Sequence, residues 1–326
     1  MTQHKNRRLF LKQASLLSAG TLLGLKNRAL PVGIKIPEAD ERIIDIHQHT
    51  NYHDRINENL LIHQREMGIT TTILLPAGHV INYGSTHYGV SNGLQAKCTP
   101  NEACYQFAQE HPKEFLFASN EVPDAPNAIK EIEKYLKLGA VMIAELKFNL
   151  ECDSPEMQKI YQLAQAYDVP VLMHWQFKMY STGFEKLPTM LKKYKKVTFI
   201  GHAQTWWANI DKQHPNQNIL YPKGKVTPGG YTDRWLKDYD NLYADLSAGS
   251  GLSALTRDEE FTRDFIQRHQ DKLLYGSDCA DADAKVKSEC QGFQTIAAIK
   301  KLSPSKVIER KLLFENAKRV LKLKLD

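Results

Sequence analysis

Short apolar segments alternate with amphipathic segments along most of the chain. Several apolar segments, such as Val171 to Met173 and Leu273 to Tyr275, are continuous, which is typical of parallel strands buried on both faces. The amphipathic segments have helical spacing, and some of them end at a glycine, as at Gly68 and Gly139. The pattern predicts eight strands that alternate with helices.

Eight strand–helix units in a chain of 326 residues predict an α/β fold, specifically a (β/α)8 TIM barrel formed by a single domain. We assign residues 31–326 to this barrel. A doubly wound open sheet is the alternative. No Gly-x-Gly-x-x-Gly motif follows the first strand, so the sequence argues against a dinucleotide site.

The first predicted strand leads directly into His47 and His49. Side chains two residues apart on a strand leave the same face, so we expect the two imidazoles to project together. Two imidazoles on one strand form half of a transition-metal site. The same motif also arises by chance as two surface histidines, so it needs support from the rest of the chain.

Metal-competent side chains recur at the ends of four other predicted strands. They are Glu145 or Lys147, His174, His202 and Asp278. In a barrel these strand ends meet at one mouth, where activity normally lies. Each residue alone has an ordinary structural explanation. Their recurrence in the same register predicts a metal centre.

The net charge of +6 comes from the N-terminal segment. Residues 1–30 hold six of the 43 Lys and Arg residues and no acidic residue, and the remaining cations equal the 37 Asp and Glu residues. A chain that is neutral apart from its N-terminus is not expected to bind nucleic acid through a basic surface. We expect a small-molecule partner instead.

Residues 1–30 are predicted to be an export signal. Arg7 and Arg8 precede Phe10, Leu11 and a short apolar run diluted by Gly, Ala and Ser, which resembles a twin-arginine signal. The run is too short and interrupted to predict a stable membrane span. A disordered basic tail or an amphipathic helix is the alternative. The signal predicts a periplasmic or otherwise exported protein.

The five cysteines show no Cys-x-x-Cys spacing, so they predict neither a zinc ribbon nor a disulfide framework. An odd number in an exported protein leaves at least one free thiol. Cys279 directly follows Asp278, but a lone cysteine beside a strand end is interpreted as a packing residue.

Four motifs together resemble the amidohydrolase superfamily. They are Asp45-x-His47-x-His49, His174-Trp175, Gly201-His202-Ala203 and Gly276-Ser277-Asp278. The closest resemblance is to the amidohydrolase-related branch that includes aminocarboxymuconate-semialdehyde decarboxylase and several lactonases, and it extends from about residue 42 to the end of the chain. It implies a TIM-barrel enzyme with a mononuclear or binuclear zinc-type centre.

The resemblance also implies roles for individual residues. The implied metal ligands are His47, His49, His174 and Asp278. The implied cofactor is Zn2+ or another divalent metal such as Mn2+, one or two ions per chain; such an ion lowers the pKa of a coordinated water and polarises a carbonyl. Asp278 would carry a proton to the leaving group, and His202 is the second catalytic candidate. Asp45 is a candidate acceptor for the second nitrogen of a ligand imidazole.

The fourth strand leaves the number of metals open. Many binuclear members of the superfamily use a carboxylated Lys or a Glu there, and this chain has Glu145 and Lys147 two residues apart. Glu145 would bridge a second metal while Lys147 pairs with a substrate carboxylate, or the two would form an ion pair. The family's Lys-x-His pattern is absent because Asn149 stands where that histidine would be. We favour one tightly held metal, with Glu145 as a further candidate ligand.

Substrate contacts are expected from residues at and beyond the strand ends. They are Lys147, Trp175, Gln176, Gln204 and Trp206. Indoles beside amides suit a partly flat ligand with polar edges. The alternative for Trp206 is that it only anchors the long loop that follows His202.

The favoured function is a metal-dependent hydrolase of the amidohydrolase type, which attacks the carbonyl of a lactone, ester or amide in a small polar substrate. The alternative is a metal-dependent non-oxidative decarboxylase of a small carboxylic acid that uses His202. A non-catalytic or metal-storing barrel is disfavoured by the complete ligand set. The sequence leaves the oligomeric state open, with a homo-oligomer among the options.

Overall fold

Parallel strands form the centre of the structure, a computed structural model that describes residues 41–90, 98–214, 216–281 and 289–325. Within these residues there are eight strands. They are β1 (Ile44–Gln48), β2 (Thr71–Leu74), β3 (Phe115–Phe117), β4 (Ile143–Leu146), β5 (Val171–His174), β6 (Phe199–His202), β7 (Leu242–Asp245) and β8 (Leu273–Leu274).

Hydrogen bonds between neighbouring strands close the eight strands into a barrel. Strands β1 to β3 pair in sequence order, and so do strands β4 to β8. The two groups are joined where Val141 N donates to Phe117 O at 2.9 Å and where Ile46 N donates to Tyr275 O at 3.2 Å. The predicted (β/α)8 barrel is therefore confirmed.

Helices cover the outside of the barrel. Within the described ranges the α-helices are α1 (Asn57–Glu66), α2 (Asn101–Glu110), α3 (Ala128–Lys137), α4 (Pro155–Tyr167), α5 (Leu187–Lys193), α6 (Gln204–Ala208), α7 (Tyr231–Asp238), α8 (Ala248–Thr256), α9 (Glu259–His269), α10 (Gln291–Leu302), α11 (Lys306–Arg310) and α12 (Asn316–Val320). A π-helical turn (Lys311–Glu315) joins the last two.

Local signals determine where several helices begin. Helix α4 begins at Pro155, whose fixed φ suits a first helical position, and the Ser154 hydroxyl accepts a hydrogen bond from Met157 N at 3.4 Å. Helix α9 begins after Asp258, whose carboxylate accepts a hydrogen bond from Phe261 N at 3.4 Å. These caps satisfy backbone donors that would otherwise lack an intrahelical partner.

The barrel interior is filled with apolar side chains below its mouth. The interior residues contributed by the strands and their flanks include Ile44, Ile73, Met142, Leu172, Ile200 and Leu274, all fully buried. Phe314, Ala317 and Leu321 from the C-terminal segment belong to the same cluster. The interior is thus a packed core, which leaves the carboxyl ends of the strands as the place for polar side chains.

Two strands are irregular where they approach the mouth. The register of β1 against β2 shifts between Asp45 and Gln48, and the register of β4 against β5 shifts between Ile143 and Leu146. Such irregularities re-aim side chains and break the strict alternation of faces. Both irregularities lie in strands that carry residues of the mouth, His47 in β1 and Glu145 in β4.

No helix among the described residues is both long and apolar enough to cross a bilayer. The predicted twin-arginine signal at residues 1–30 and the predicted barrel boundary at residue 31 lie outside the described residues.

Candidate metal centre

His47 and His49 lie at the carboxyl end of β1 with their Nε2 atoms directed into the mouth of the barrel. His47 Nδ1 donates to Asp245 Oδ2 at 2.7 Å, and His49 Nδ1 donates to the Leu75 carbonyl oxygen at 2.7 Å. Because Nδ1 donates in both rings, Nε2 is the nitrogen that faces the mouth, and in the neutral imidazole it has a free lone pair. Burial lowers the pKa of His47, but Asp278 and Asp245 raise it well above its ordinary value, so His47 would give up its Nε2 proton on binding a metal. Both side chains are fully buried.

Glu145, at the end of β4, lies between four histidines. Its Oε2 is 3.8 Å from both His47 Nε2 and His49 Nε2. Its Oε1 is 2.5 Å from His174 Nδ1 and 3.6 Å from His202 Nε2. The sequence left the role of Glu145 open; the structure places its carboxylate at the centre of the cluster.

Asp278 follows β8 and closes the other side of the cluster. Its Oδ1 is 3.4 Å from His49 Nε2 and 3.9 Å from His47 Nε2. Its backbone N–H donates to His47 O at 2.8 Å, which fixes the segment to β1. The Asp278 side chain is 12% exposed, whereas that of Glu145 is 1% exposed. Asp278 is therefore the carboxylate that solvent and substrate can reach.

Five buried atoms of this cluster lack a hydrogen-bond partner within the described residues. They are His47 Nε2, His49 Nε2, His202 Nε2, Glu145 Oε2 and Asp278 Oδ1. Buried polar groups are normally paired, so five unpaired nitrogen and oxygen atoms in one place need an explanation. A cation accounts for all of them, because imidazole nitrogens and carboxylate oxygens are the donor atoms that Zn2+ and Mn2+ take. The residues fit the metal that the sequence predicts.

The donor atoms form overlapping groups of three. The sets are His47, His49 and Glu145; His47, His202 and Asp278; and Glu145, His174 and His202. Within each set the ligand atoms lie within 4.8 Å of one another. Glu145 Oε2 faces His47 and His49, whereas its Oε1 faces His174 and His202, so the geometry accommodates either one ion or two neighbouring ions.

The neighbouring imidazoles favour the ionised forms of Asp278 and Asp245. Burial raises the pKa of Asp278, but His47 and His49 outweigh burial and hold this pKa at about 2. Burial likewise raises the pKa of Asp245, and His202 and His47 lower it below its ordinary value. Both groups are therefore carboxylates at neutral pH.

Lys147 contributes to the charge of Glu145 and His174. Burial raises the pKa of Glu145, but Lys147 and His174 hold it well below its ordinary value. Burial and Lys147 lower the pKa of His174 to about 4. At neutral pH the site thus contains an ionised Glu145 beside a neutral His174, the charge states that metal ligands need.

Asp245 and Ser247 were missed by the sequence analysis. Asp245 Oδ2 accepts from His47 Nδ1 and also lies 3.2 Å from His202 Nδ1, while the Ser247 hydroxyl donates to the same oxygen at 2.7 Å. Trp207 Nε1 fixes this strand end by donating to Asp245 O at 2.9 Å. The sequence did contain a signal for Asp245, because this acidic residue closes the apolar strand β7 much as Asp278 follows β8.

The prediction that Asp45 accepts from a ligand imidazole is wrong. Asp45 Oδ1 accepts from the backbone N–H groups of His47 and Ser277, at 3.0 and 2.9 Å, and Oδ2 accepts from Gln64 Nε2 at 2.8 Å. Asp45 thus joins the backbones of β1 and the segment after β8. The carboxylate that holds the His47 ring is Asp245.

His174, Gln176, Lys147 and Tyr180 form one side of the mouth. His174 Nε2 lies 3.3 Å from Gln176 Oε1, and the Tyr180 ring centroid lies 5.5 Å from the His174 ring and 5.6 Å from Lys147 Nζ. The Tyr180 hydroxyl is buried and has no partner within the described residues. Burial and Glu145 raise the pKa of Tyr180 to about 12, so the hydroxyl remains a donor.

Trp175 and Trp206 lie in the packed core, contrary to the expectation that they contact substrate. The Trp175 ring is 1% exposed and packs edge-on against Phe184 at 5.1 Å between centroids. The fully buried Trp206 indole lies so close to Gly201 that a Cβ there would come within 2.3 Å of it. Gly201 precedes His202 and faces the opposite side of β6, so Trp206 packs outside the barrel.

Gln204, by contrast, remains near the surface. Its Nε2 donates to the Tyr221 hydroxyl at 3.2 Å, while its Oε1 is buried and has no partner within the described residues. As the first residue of α6, directly beyond β6, it stays a candidate substrate contact.

The sequence of the chain matches one family model. A model described as amidohydrolase matches residues 44–323. None of the curated proteins matches the chain.

Solved structures with the same fold include three bacterial enzymes. A 2,6-dihydroxybenzoate decarboxylase from Rhizobium is 14% identical, with a TM-score of 0.58 over 87% of this chain and 100% of that chain. A probable 2-pyrone-4,6-dicarboxylic acid hydrolase from Acinetobacter baumannii is 13% identical, with a TM-score of 0.55 over 86% and 99%. A 5-carboxyvanillate decarboxylase from Novosphingobium aromaticivorans, complexed with manganese, is 14% identical, with a TM-score of 0.50 over 81% and 79%. At these identities the likeness establishes a shared fold.

Proposed function

Because the chain belongs to the amidohydrolase family, we propose that it is a metal-dependent hydrolase that cleaves a lactone, ester or amide in a small polar substrate. One observation carries the proposal: five buried, unpartnered nitrogen and oxygen atoms meet at the mouth of the barrel. The match of the amidohydrolase model to residues 44–323 confirms the family that the sequence predicted.

The residues that would hold the metal are His47, His49, Glu145 and Asp278. A divalent metal in this position would lower the pKa of a coordinated water and polarise a substrate carbonyl. His174 was also predicted as a ligand. In this structure its Nδ1 contacts Glu145 and its Nε2 faces Gln176, so its assignment as a ligand remains a proposal. Its test is whether His174→Ala releases metal as His47→Ala does.

Asp278 is the residue best placed to move a proton. Its carboxylate is ionised and is the more exposed of the two in the cluster, so it can accept a proton from an attacking water. The same carboxyl group then delivers that proton to the leaving group. Glu145 is enclosed by histidines, which suits a ligand better than a proton carrier.

The number of metal ions remains a separate proposal. We favour one ion of Zn2+ or Mn2+ at the set His47, His49, Glu145 and Asp278, because these residues contribute four of the five unpartnered atoms. A second ion would use the set Glu145, His174 and His202. In that case Glu145 would bridge the two ions with its two oxygens.

The charge of the mouth supports a substrate that carries an anionic group. Lys147 is half-buried beside Tyr180, and the Tyr180 hydroxyl has no partner within the described residues. An ammonium next to a phenol donor is suited to a carboxylate. Gln176 and Gln204 would contribute neutral hydrogen bonds to the rest of the ligand.

Decarboxylation is the second candidate, and it is favoured by the setting of His202. Asp245 Oδ2 lies 3.2 Å from His202 Nδ1, while His202 Nε2 faces the cluster without a partner within the described residues. An imidazole held in this way, once it has taken a proton from solvent at Nε2, can deliver that proton to the carbon that loses its carboxylate. This step would not need water as a nucleophile.

A substrate panel separates the two reactions. The metal-loaded enzyme is tested on lactones and esters with a carboxylate substituent, and on aromatic and enol carboxylates monitored for carbon dioxide. Hydrolysis without carbon dioxide supports the proposal, and carbon dioxide release supports the alternative. Asp278→Asn should lower turnover by roughly 100-fold or more in either case. Activity on neither panel with a full complement of metal would contradict both.

We also propose that the protein is exported through its N-terminal segment. The support is the twin-arginine pattern of residues 1–30 and their six uncompensated cations. Cell fractionation of the full chain, compared with a variant in which Arg7 and Arg8 are replaced by lysine, tests this. Retention of the variant in the cytoplasm is expected. Equal distribution of both proteins would contradict export by this route.

A further inference from the structure

A second buried cluster, made of one histidine and two cysteines, shares no residue with the metal centre. His63 comes from α1, Cys279 follows Asp278, and Cys290 immediately precedes α10. The two sulfur atoms are 3.1 Å apart, and His63 Nε2 is 3.2 Å from Cys290 Sγ. Each of the two cysteines is 3% exposed. We call these three residues the thiol cluster.

The backbone around Cys279 is held firmly. The Cys279 carbonyl oxygen accepts hydrogen bonds from Arg55 at 2.7 Å and from Gln48 Nε2 at 3.0 Å. Gln291, next to Cys290, donates from Nε2 to Asp278 O at 2.6 Å. The two cysteines are thus brought together by contacts that do not involve their sulfur atoms, which makes their proximity a property of the fold.

The tautomer of His63 follows from its neighbour Gln64. The Gln64 amide nitrogen donates to Asp45 and to Thr72, both at 2.8 Å, so its Oε1 faces His63 Nδ1 at 3.0 Å as an acceptor. His63 Nδ1 therefore carries the proton, and Nε2 is free to accept one from Cys290. The histidine is placed as a base for this thiol.

The position of Cys290 also favours its thiolate. The hydrogen bond from Cys279 lowers the pKa of Cys290 to about 7, and backbone N–H groups of Gly292 and Phe293 act in the same direction against the effect of burial. Gly292 and Phe293 lie in the first turn of α10, which is 12 residues long. A thiolate at a helix N-terminus beside a base is the attacking group in thiol–disulfide exchange.

A metal ion suits the thiol cluster less well than a covalent bond. Two thiolates on one tetrahedral Zn2+, with Zn–S of about 2.3 Å, lie about 3.8 Å apart, which is wider than the 3.1 Å observed. The nearest further sulfur is Met67 Sδ, 3.6 Å from Cys290 Sγ, and a thioether is a weak ligand for zinc. Three strong donors are fewer than a closed structural zinc site uses.

From this geometry we propose that Cys279 and Cys290 form an intramolecular disulfide. As the chain folds, before both sulfur atoms are enclosed, Cys290 gives its proton to His63, and its thiolate attacks a disulfide donor, RSSR, forming the mixed disulfide Cys290–S–SR and releasing RS⁻. Cys279 then attacks the Cys290 sulfur and releases the second RS⁻. The two RS⁻ take up the two thiol protons, so RSSR becomes two RSH. The bond ties the segment that carries Asp278 to the beginning of α10.

The test counts thiols in the full chain. Because both sulfur atoms are buried in the folded chain, the reduced protein is refolded with oxidised and reduced glutathione, then denatured and alkylated. Of the five cysteines, three should be alkylated, and one peptide should link Cys279 to Cys290. The single variants Cys279→Ser and Cys290→Ser should each retain four reactive thiols. The control Cys152→Ser should lose one thiol and keep the linked peptide.

Thermal unfolding gives a second readout. The oxidised wild type should unfold about 5 °C above its reduced form, because the cross-link restricts the unfolded chain. Cys290→Ser should show no such difference.

Five alkylated cysteines, or a link between other cysteines, would overturn the proposal. The proposal would also be overturned if the protein held one equivalent of zinc that protects both thiols from alkylation and is lost in Cys290→Ser. The thiol cluster would then be a metal site. None of these results depends on activity at the metal centre.

Discussion

Asp245 holds His47 in the orientation that the proposed metal centre needs. The two side chains meet at 2.7 Å between Oδ2 and Nδ1, and both are fully buried. The bond fixes the ring and its tautomer, so that Nε2 presents its lone pair to the mouth of the barrel. The same carboxylate lies 3.2 Å from His202 Nδ1. Asp245, a single residue of β7, therefore contacts the Nδ1 atoms of two imidazoles that face the mouth.

Replacing this carboxylate should weaken metal binding without removing any ligand. We expect Asp245→Asn to lower metal affinity by roughly 10- to 100-fold, because an amide no longer selects the tautomer with the proton on Nδ1. The measurement is a competition titration with a chromogenic chelator. Asp258→Asn, which makes the same change at a buried helix-capping carboxylate instead, is the matched control and should leave affinity unchanged. Equal affinities for Asp245→Asn and wild type would refute this role.

Lys147 should act on substrate binding more than on turnover. We expect Lys147→Met to raise KM for a carboxylate-bearing substrate by roughly 10-fold, while KM for a neutral analogue changes little. Initial-rate kinetics on the two substrates provide the comparison. Lys178→Met removes a nearby exposed lysine and serves as the control. An equal effect of Lys147→Met on both substrates would show that Lys147 does not bind the anion.

The pH dependence of stability should contain a contribution from Asp233 in α7. Burial raises the pKa of Asp233, but hydrogen bonds from His269 and Arg268 hold it at about 2, below the ordinary value of 3.8. A carboxyl group whose pKa is lowered by folding stabilises the folded state above its unfolded pKa. This contribution disappears as the pH falls from about 4 to about 2.

Asp233→Asn should therefore destabilise the protein most at pH 5 and above, and the difference from wild type should shrink towards pH 2. Urea unfolding across this range measures the effect. Asp264→Asn removes the exposed second partner of Arg268 and should have a much smaller effect. A difference for Asp233→Asn that does not change with pH would contradict the assignment.

Much of the fold was predictable because several strands end in a way that the sequence shows. Continuous apolar segments followed by His174, His202 or Asp278 predicted both the strands and the edge at which they meet. The barrel followed from their number and spacing. Asp245 could have been found by the same rule, since it too closes an apolar strand.

Other features could not be predicted because they depend on packing and on local irregularity. Register shifts occur in β1 and β4, the strands that carry His47 and Glu145, and the sequence pattern does not show them. The position of Glu145 among four histidines depends on contacts between distant strands. The same holds for the thiol cluster, which joins residues from α1, the end of β8 and the beginning of α10.

The assignments of Trp175 and Trp206 to substrate binding were wrong for two different reasons. Trp175 follows His174 directly, so a regular strand directs it to the other face, towards the helices. Its composition-based assignment to substrate binding ignored this alternation. Trp206 packs on Gly201, a contact that only the folded chain creates.

Metal content per chain tests the central claim most directly. The purified full-length protein should contain about one equivalent of Zn2+ or Mn2+ by elemental analysis, and His47→Ala should lose it while remaining folded by circular dichroism. Two equivalents, with Glu145→Gln losing both, would establish the bridged form of the same site. A folded wild-type protein that neither contains nor takes up a divalent metal would contradict the account.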